Sequence, residues 1–195
     1  ENTFFIQKTP LCETSALQLP GDHNLENACA AISAALMVTD DISAIEKGLR
    51  DFSGLPHRLK RVRVVRDVAY YDDSIATTPG SAMAAIKAFS EPKLLILGGK
   101  DKGGDYGELI EMCKSTDTHV LAIGSSGKAI AKLCRKKHVA VTDLTGKTME
   151  QIVRTAAELA EPGSAVILSP AAASFDMFKS YADRGEQFVQ AVEAL

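Results

Sequence analysis

The sequence predicts an α/β protein with a mostly parallel sheet and helices on both of its faces. Three observations predict this. Short apolar runs such as 93–97, 120–123 and 165–168 alternate with longer segments whose apolar residues recur at helical spacing. The runs are nearly continuous rather than alternating, which is the pattern of strands covered on both sides. Polar or glycine-rich turns follow them, as they do where a parallel sheet presents its strand ends to a crevice.

Residues 1–22 hold Pro10, Pro20 and Gly21 with short β-like runs at 3–6 and 16–19, and read as the edge of a sheet unable to close a core alone. From 24 to 37 apolar residues and alanines recur at helical spacing, and Asp41 or Ser43 is placed to cap a second helix ending near 51. Gly54 and Pro56 then break the periodicity and mark a hinge at 54–58. Beyond it, 61–66 and 68–72 read as two strands joined by a tight turn at Arg66-Asp67. Next come helix 79–89, strand 93–97, helix 106–114, strand 120–123 and helix 128–136. Strand 139–142, helix 149–160, strand 165–168 and helix 175–194 complete the series. The expected organisation is a first part over 1–53, the hinge, and a Rossmann-like domain over 59–195. No internal repeat or low-complexity segment interrupts it.

A 46% hydrophobic composition is enough to bury a real core. The net charge of −3, from residues of mixed sign, leaves no electrostatic footprint for nucleic acid or a membrane surface, and neither is expected as a partner. Cys12, Cys29, Cys113 and Cys134 lie far apart with no C-x-x-C spacing, which argues against zinc and against a disulfide framework and fits a reducing cytoplasm. No long apolar run or secretory leader is present. A first residue Glu1 rather than Met leads us to expect a trimmed product.

The run Asp72-Asp73-Ser74-Ile75-Ala76-Thr77-Thr78-Pro79 ends a strand, opens a helix, and carries two carboxylates and three hydroxyls. Together with 98–105, 124–127 and 169–174 it forms a set of polar turns that a parallel sheet would direct toward one crevice. Each turn also has a plain structural reading as a helix cap or a loop glycine. Lys100 and Lys102 flank Asp101 in a glycine-bracketed loop, where an ammonium can meet a carboxylate or phosphate as a point charge; the local sequence by itself favours solvated surface lysines.

Gly98-Gly99 is not G-x-G-x-x-G, so a nicotinamide or flavin site has little support. Two partial phosphate loops fail: Gly127-Lys128 is followed by Ala129 and has Ala122 where the first glycine belongs, and Gly146-Lys147-Thr148 has Val141 there. Asn24 and Asn27 sit at a helix start, where Asn24 reads as an N-cap or as an amide for an adenine edge. Arg58 closes the hinge with forked donors suited to phosphate or ribose oxygens, or to a surface ion pair, and His57 beside it is assigned no chemistry. Phe175, Phe178 and Tyr181, spaced three apart, read as helix core, with Tyr181 able to turn its ring to a ligand.

His23-Asn24-Leu25-Glu26-Asn27, Gly54-Leu55-Pro56-His57-Arg58, the 72–79 run, Gly98-Gly99-Lys100-Asp101-Lys102-Gly103 and Ser169-Pro170-Ala171-Ala172-Ala173-Ser174-Phe175-Asp176 resemble, in this linear order, the rear part of the Mur ligases. The 169–184 segment is similar to the branch that adds D-glutamate to UDP-N-acetylmuramoyl-L-alanine. The resemblance implies that 1–53 is the helical tail of a central ATPase domain and that 59–195 is the C-terminal, amino-acid-binding domain. It implies that Asn24 and Asn27 contact adenine, Arg58 lies near ribose and phosphate, and Asp73 holds the nucleotide from the C-terminal side. Thr77, Lys102, Ser174, Phe175 and Tyr181 match positions around the D-glutamate carboxylates.

Three positions depart from the family pattern: Ile75 where lysine is frequent, Ala172 where cysteine is, and Tyr181 where phenylalanine is. The resemblance implies ATP and Mg2+ for the whole enzyme and a bacterial cytoplasm as its location. Neither is held tightly by this portion, which carries no catalytic residue and no metal ligand, since the phosphate loop, magnesium carboxylates and carbamylated lysine would lie upstream of Glu1. Alternatives are a Rossmann-type oxidoreductase or transferase, a non-catalytic small-anion-binding module, and another Mur-type or folylpolyglutamate ligase.

Overall fold

The computed structural model describes all residues except Glu1, Gln7, Pro20, Asp101 and Lys102, and it omits the side chains of Asp22 and His23. The polypeptide divides into two compact units, Glu1–Leu55 and Pro56–Leu195.

In the first unit β1 (Thr3–Ile6) pairs antiparallel with β2 (Thr9–Glu13), and helices α1 (Asp22–Ala35) and α2 (Ile42–Asp51) follow. Phe4, Cys12 and Ala16 pack with Ala28 and Ile32 of α1 and with Ile45 and Leu49 of α2. The strand-like segment therefore shares a core with the helices. The expected β-run at 16–19 is a correction: Thr14–Ala16 is a single 3-10 turn, closed by the Leu17 amide on the Thr14 carbonyl, and the strand lies earlier, at β2. Asp41 caps α2, its Oδ1 accepting from the Ala44 amide.

The second unit is a six-stranded sheet in the order β3-β4-β8-β5-β6-β7. Its strands are β3 (Lys60–Val65), β4 (Val68–Asp72), β5 (Lys93–Gly98), β6 (Thr118–Ile123), β7 (Val141–Asp143) and β8 (Ala165–Leu168). β3 is antiparallel to β4 across a turn in which Arg66 and Asp67 are left-handed; every other pairing is parallel. β5 and β8 are buried along their whole length, and apart from Lys93 at the start of β5 their sequence is apolar without alternation.

Helices α3 (Pro79–Lys87), α4 (Gly107–Ser115) and α5 (Gly127–Lys137) place Ile86, Leu109, Ile110, Ile130 and Ala131 on one sheet face. On the other, α6 (Met149–Leu159) and α7 (Tyr181–Glu193) place Ile152, Val153, Phe188 and Val192. Caps set the helix starts: Thr78 with Pro79 for α3, a reciprocal Thr148–Gln151 box for α6, and Ser180 for α7. The last helix thus begins at Tyr181 rather than at 175. Ser174 diverts the chain, its carbonyl accepting from the amides of Met177 and Phe178, and the Ser180 hydroxyl then takes the Asp183 amide.

The Leu168, Ile96 and Asp72 ends lie level in the register of neighbouring strands. β8 stands between β4 and β5; the helix that follows it, α7, packs on one face of the sheet, whereas those that follow β4 and β5, α3 and α4, pack on the other. A crevice opens at the carboxyl end of such a switch.

Candidate functional site

The turns after β4, β8, β5 and β6 are laced together at this end of the sheet. The Ala171 amide donates to the Ala76 carbonyl (2.9 Å), the Gly98 amide to Pro170 (2.8 Å), and the Lys100 amide to Ala173 (2.8 Å). Gly99 is held to the β6 turn by its amide on Ser126 Oγ (3.1 Å) and by its carbonyl, which takes the Ser126 amide (3.0 Å) and the Ser125 hydroxyl (3.1 Å). Ser126 precedes α5 but does not cap it, because its hydroxyl serves Gly99 instead. Gly124 has φ +68°, and a Cβ there would lie 2.5 Å from Gly99 Cα and 2.7 Å from Asp176 Oδ2. Only glycine permits that approach.

Two buried ionisable groups anchor the rim. Arg184 on α7 is wholly buried; its Nε donates to Ser74 Oγ (2.9 Å), Nη2 to the Ser74 carbonyl (2.7 Å) and Nη1 to the Ala172 carbonyl (3.0 Å). Burial pushes its pKa down to about 10, partly opposed by Asp176 and Asp72, and it stays charged at neutral pH. The Ser74 hydroxyl in turn donates to the Tyr181 carbonyl (2.7 Å).

Asp72 pairs through Oδ2 with His57 Nδ1 (2.7 Å) and through Oδ1 with the Ser74 amide (3.0 Å). Gly185 makes room for this pair, since a Cβ there would sit 2.2 Å from His57 Nδ1. Composition gave no sign of Arg184, His57 or Asp72 acting together; the only local signal was Asp183-Arg184-Gly185, a charge followed by a helical glycine.

Of the expected site residues, Thr77 is exposed in the β4 turn, next to the Ala76 carbonyl that takes the β8 turn. Ser174 is 2% exposed, and its Oγ has no hydrogen-bond partner; among the described residues Asp176 Oδ1, two residues on, is the other such buried side-chain atom. Phe175 is 69% exposed. It belongs to a turn and not to a helix core, which corrects the reading of the 175-178-181 series; Phe178 alone of the three is buried. Tyr181 opens α7 half-exposed, its ring edge-on to His57 at 6.1 Å. Lys102 lies outside the described residues; the loop that carries it enters through Lys100, bridged to Ala173.

Arg58 is exposed. Asp73 turns both oxygens inward, Oδ1 to the Leu59 amide (3.1 Å) and Oδ2 to the Ser169 hydroxyl (2.7 Å), and burial raises its pKa to about 6. Asn24 and Asn27 lie in the first unit within α1. Gly21 precedes that helix, so Asn24 is not its cap; the Asn27 amide instead reaches Asn24 Oδ1 at 3.4 Å.

At the opposite end of the sheet a groove of about 390 Å³ is lined by Lys93, Lys114, Asp117, His119, His138 and Glu161, among others. Among the described residues no group of three or more His, Cys, Asp or Glu could hold a metal ion, and no helix is long and apolar enough to cross a membrane. The four cysteines are free.

The profile of the Mur ligase, glutamate ligase domain matches residues 57–172. The UDP-N-acetylmuramoylalanine–D-glutamate ligase of Caldanaerobacter subterraneus subsp. tengcongensis is 37% identical over 193 residues, 98% of this chain and 43% of that protein. The enzyme of the same name from Geotalea daltonii is 40% identical over 185 residues, 94% of this chain and 40% of that protein. The chain thus spans about two-fifths of the length of the curated relatives it matches.

Among solved structures, UDP-N-acetylmuramate-alanine ligase from Thermotoga maritima superposes with a TM-score of 0.67 at 17% identity, over 91% of this chain and 39% of that one. Mycobacterium tuberculosis folylpolyglutamate synthase complexed with ADP gives 0.65 at 18% identity, over 90% and 41%. At such identities these two share the fold.

Proposed function

The chain belongs to the Mur ligase family, and from that premise we propose that it is the C-terminal portion of an ATP-dependent ligase joining D-glutamate to UDP-N-acetylmuramoyl-L-alanine in the bacterial cytoplasm. Relatives bearing that name at 37–40% identity over nearly the whole chain support the substrate pair. In this reading this portion meets the adenosine end of ATP and its nearby oxygens, and the triphosphate and Mg2+ are held elsewhere on the protein. The muramoyl peptide's terminal carboxylate becomes an acyl phosphate there, the D-glutamate amine attacks its carbonyl carbon, and phosphate leaves.

The contribution of Pro56–Leu195 is orientation. Ser174 Oγ carries the reading: a buried hydroxyl without a partner, at the carboxyl end of the central strand, is a donor kept for a ligand. Thr77, on a turn hydrogen-bonded to the same β8 loop, and Lys102 supply further donors to the two carboxylates of D-glutamate. Phe175 and Tyr181 supply apolar walls. Fixing both carboxylates aims the amine, an effect worth up to about 7–11 kcal/mol of barrier in well-oriented systems.

Asn24 and Asn27 are assigned to the adenine edge, and Arg58 to ribose and phosphate oxygens. Asp73 acts on the nucleotide through the Leu59 amide, which fixes the backbone next to Arg58. The domain identities follow: 1–53 as the tail of the central ATPase domain, 54–58 as hinge, 59–195 as the amino-acid-binding domain. Calorimetric titration of the chain with D- and L-glutamate tests the substrate; saturable binding that favours the D-isomer is expected, and equal affinity for both would overturn it.

A further inference from the structure

Resting on the D-glutamate reading above, we propose that Asp176 is a further specificity-determining residue, whose Oδ1 accepts a hydrogen bond from the ammonium group of the incoming amino acid. Two buried side-chain atoms among the described residues lack any hydrogen-bond partner, Ser174 Oγ and Asp176 Oδ1, and they stand two residues apart in one turn. A desolvated carboxylate oxygen without a donor is costly, far more so than an idle hydroxyl. Its place in the turn that follows β8, at the carboxyl end of the sheet, suits it to a donor that arrives with the ligand.

The geometry of the other oxygen sharpens this. Asp176 Oδ2 takes the Ser125 amide at 2.7 Å and packs against Gly124, so this oxygen ties the carboxylate to the β6 turn and leaves Oδ1 as the one without a donor. Arg184 lies close enough to be felt electrostatically yet gives its donors to Ser74 and Ala172 instead. One turn therefore offers a hydroxyl that can donate and a carboxylate oxygen that can only accept. That pair is complementary to a carboxylate and an ammonium on one small molecule, the polar pattern of an amino acid.

The claim separates Asp176 from a purely structural clamp. Asp176→Asn keeps an oxygen for the Ser125 amide and replaces the idle oxygen by an NH2, which cannot accept from an ammonium. The probes are D-glutamate and D-2-hydroxyglutarate, which has both carboxylates and a hydroxyl in place of the amine, titrated calorimetrically into the 195-residue chain. The wild type is expected to prefer D-glutamate by about tenfold or more, Asp176→Asn to lose or reverse that preference, because its NH2 can donate to the hydroxyl but not to the ammonium, and Ser174→Ala to weaken both in proportion.

A preference retained by Asp176→Asn overturns the proposal and leaves the D-glutamate site standing. Absence of saturable D-glutamate binding by the wild type overturns the site reading and this inference with it. Should Asp176→Asn fail to fold, the wild-type comparison alone decides: equal affinity for the amino acid and the hydroxy acid overturns the role of Asp176.

Discussion

The guanidinium of Arg184 is bonded to both the hydroxyl and the carbonyl of Ser74, at 2.9 and 2.7 Å, across a separation of 110 residues. Its remaining bond, to the Ala172 carbonyl, makes one side chain the joint between the turns after β4 and β8. Replacement by methionine fills the volume but leaves two buried carbonyls and a hydroxyl without their donor. We expect Arg184→Met to destabilise the chain by about 3 kcal/mol or more, measured by urea unfolding. Arg184→Lys should recover only part of this, because an ammonium cannot span the fork.

Gly185→Ala is expected to destabilise by about 1–3 kcal/mol, because its methyl would overlap His57 Nδ1 at 2.2 Å and Asp72 Oδ2 at 2.8 Å. Gly48→Ala is the control. It lies inside α2 with nothing within 4 Å of the new methyl, and a gain of about 0.5–1 kcal/mol follows from helix propensity. Thermal melts of the two variants should move in opposite directions.

Asp73 gives a pH signature. Its carboxyl titrates at about 6 in the fold against an ordinary 3.8, chiefly through burial, with Ser169 and the Leu59 amide opposing. A raised acid pKa means the folded state holds the proton more tightly. Its contribution is therefore fully present below about pH 4 and is lost as pH rises through 6, by as much as about 3 kcal/mol. Asp73→Asn keeps an acceptor for Leu59 and cannot ionise. The stability difference, wild type minus variant, should fall between pH 4 and pH 6.5 in thermal melts; a constant difference would contradict the assignment.

Ser174→Ala separates stability from function. Removing a buried, unpartnered hydroxyl should leave the melting temperature unchanged or slightly raised, while D-glutamate affinity drops about tenfold. A large loss of stability would mean that the hydroxyl has a structural partner.

Much of the sheet was legible because its physics is local. Residues 94–97 of β5, 120–123 of β6 and 165–168 of β8 are buried on both faces, and their sequences are apolar without alternation. Thr78-Pro79 and Thr148-x-x-Gln151 announce their helices through caps of only a few residues. The 175–180 segment misled because phenylalanines three apart imitate a helix face, whereas the chain is turned by Ser174 and restarted by Ser180. The rim network was hidden for a different reason. Arg184 on an amphipathic helix looks solvated in sequence, and its burial depends on Ser74, distant along the chain, and on the Ala172 turn. Asp73 looked like a ligand-facing carboxylate, and only the tertiary contact with Ser169 turns it inward.

The central claim is that the laced turns at the carboxyl ends of β4, β8, β5 and β6 bind D-glutamate. Its most direct test is a residue-resolved amide NMR titration of the 195-residue chain with D-glutamate. Saturable shifts are predicted at Thr77, Lys100, Ser125, Ser174 and Phe175, weaker with L-glutamate. Shifts confined to the groove at the other end of the sheet, around Lys93, Thr118 and His138, or no saturable shifts at all, would contradict it.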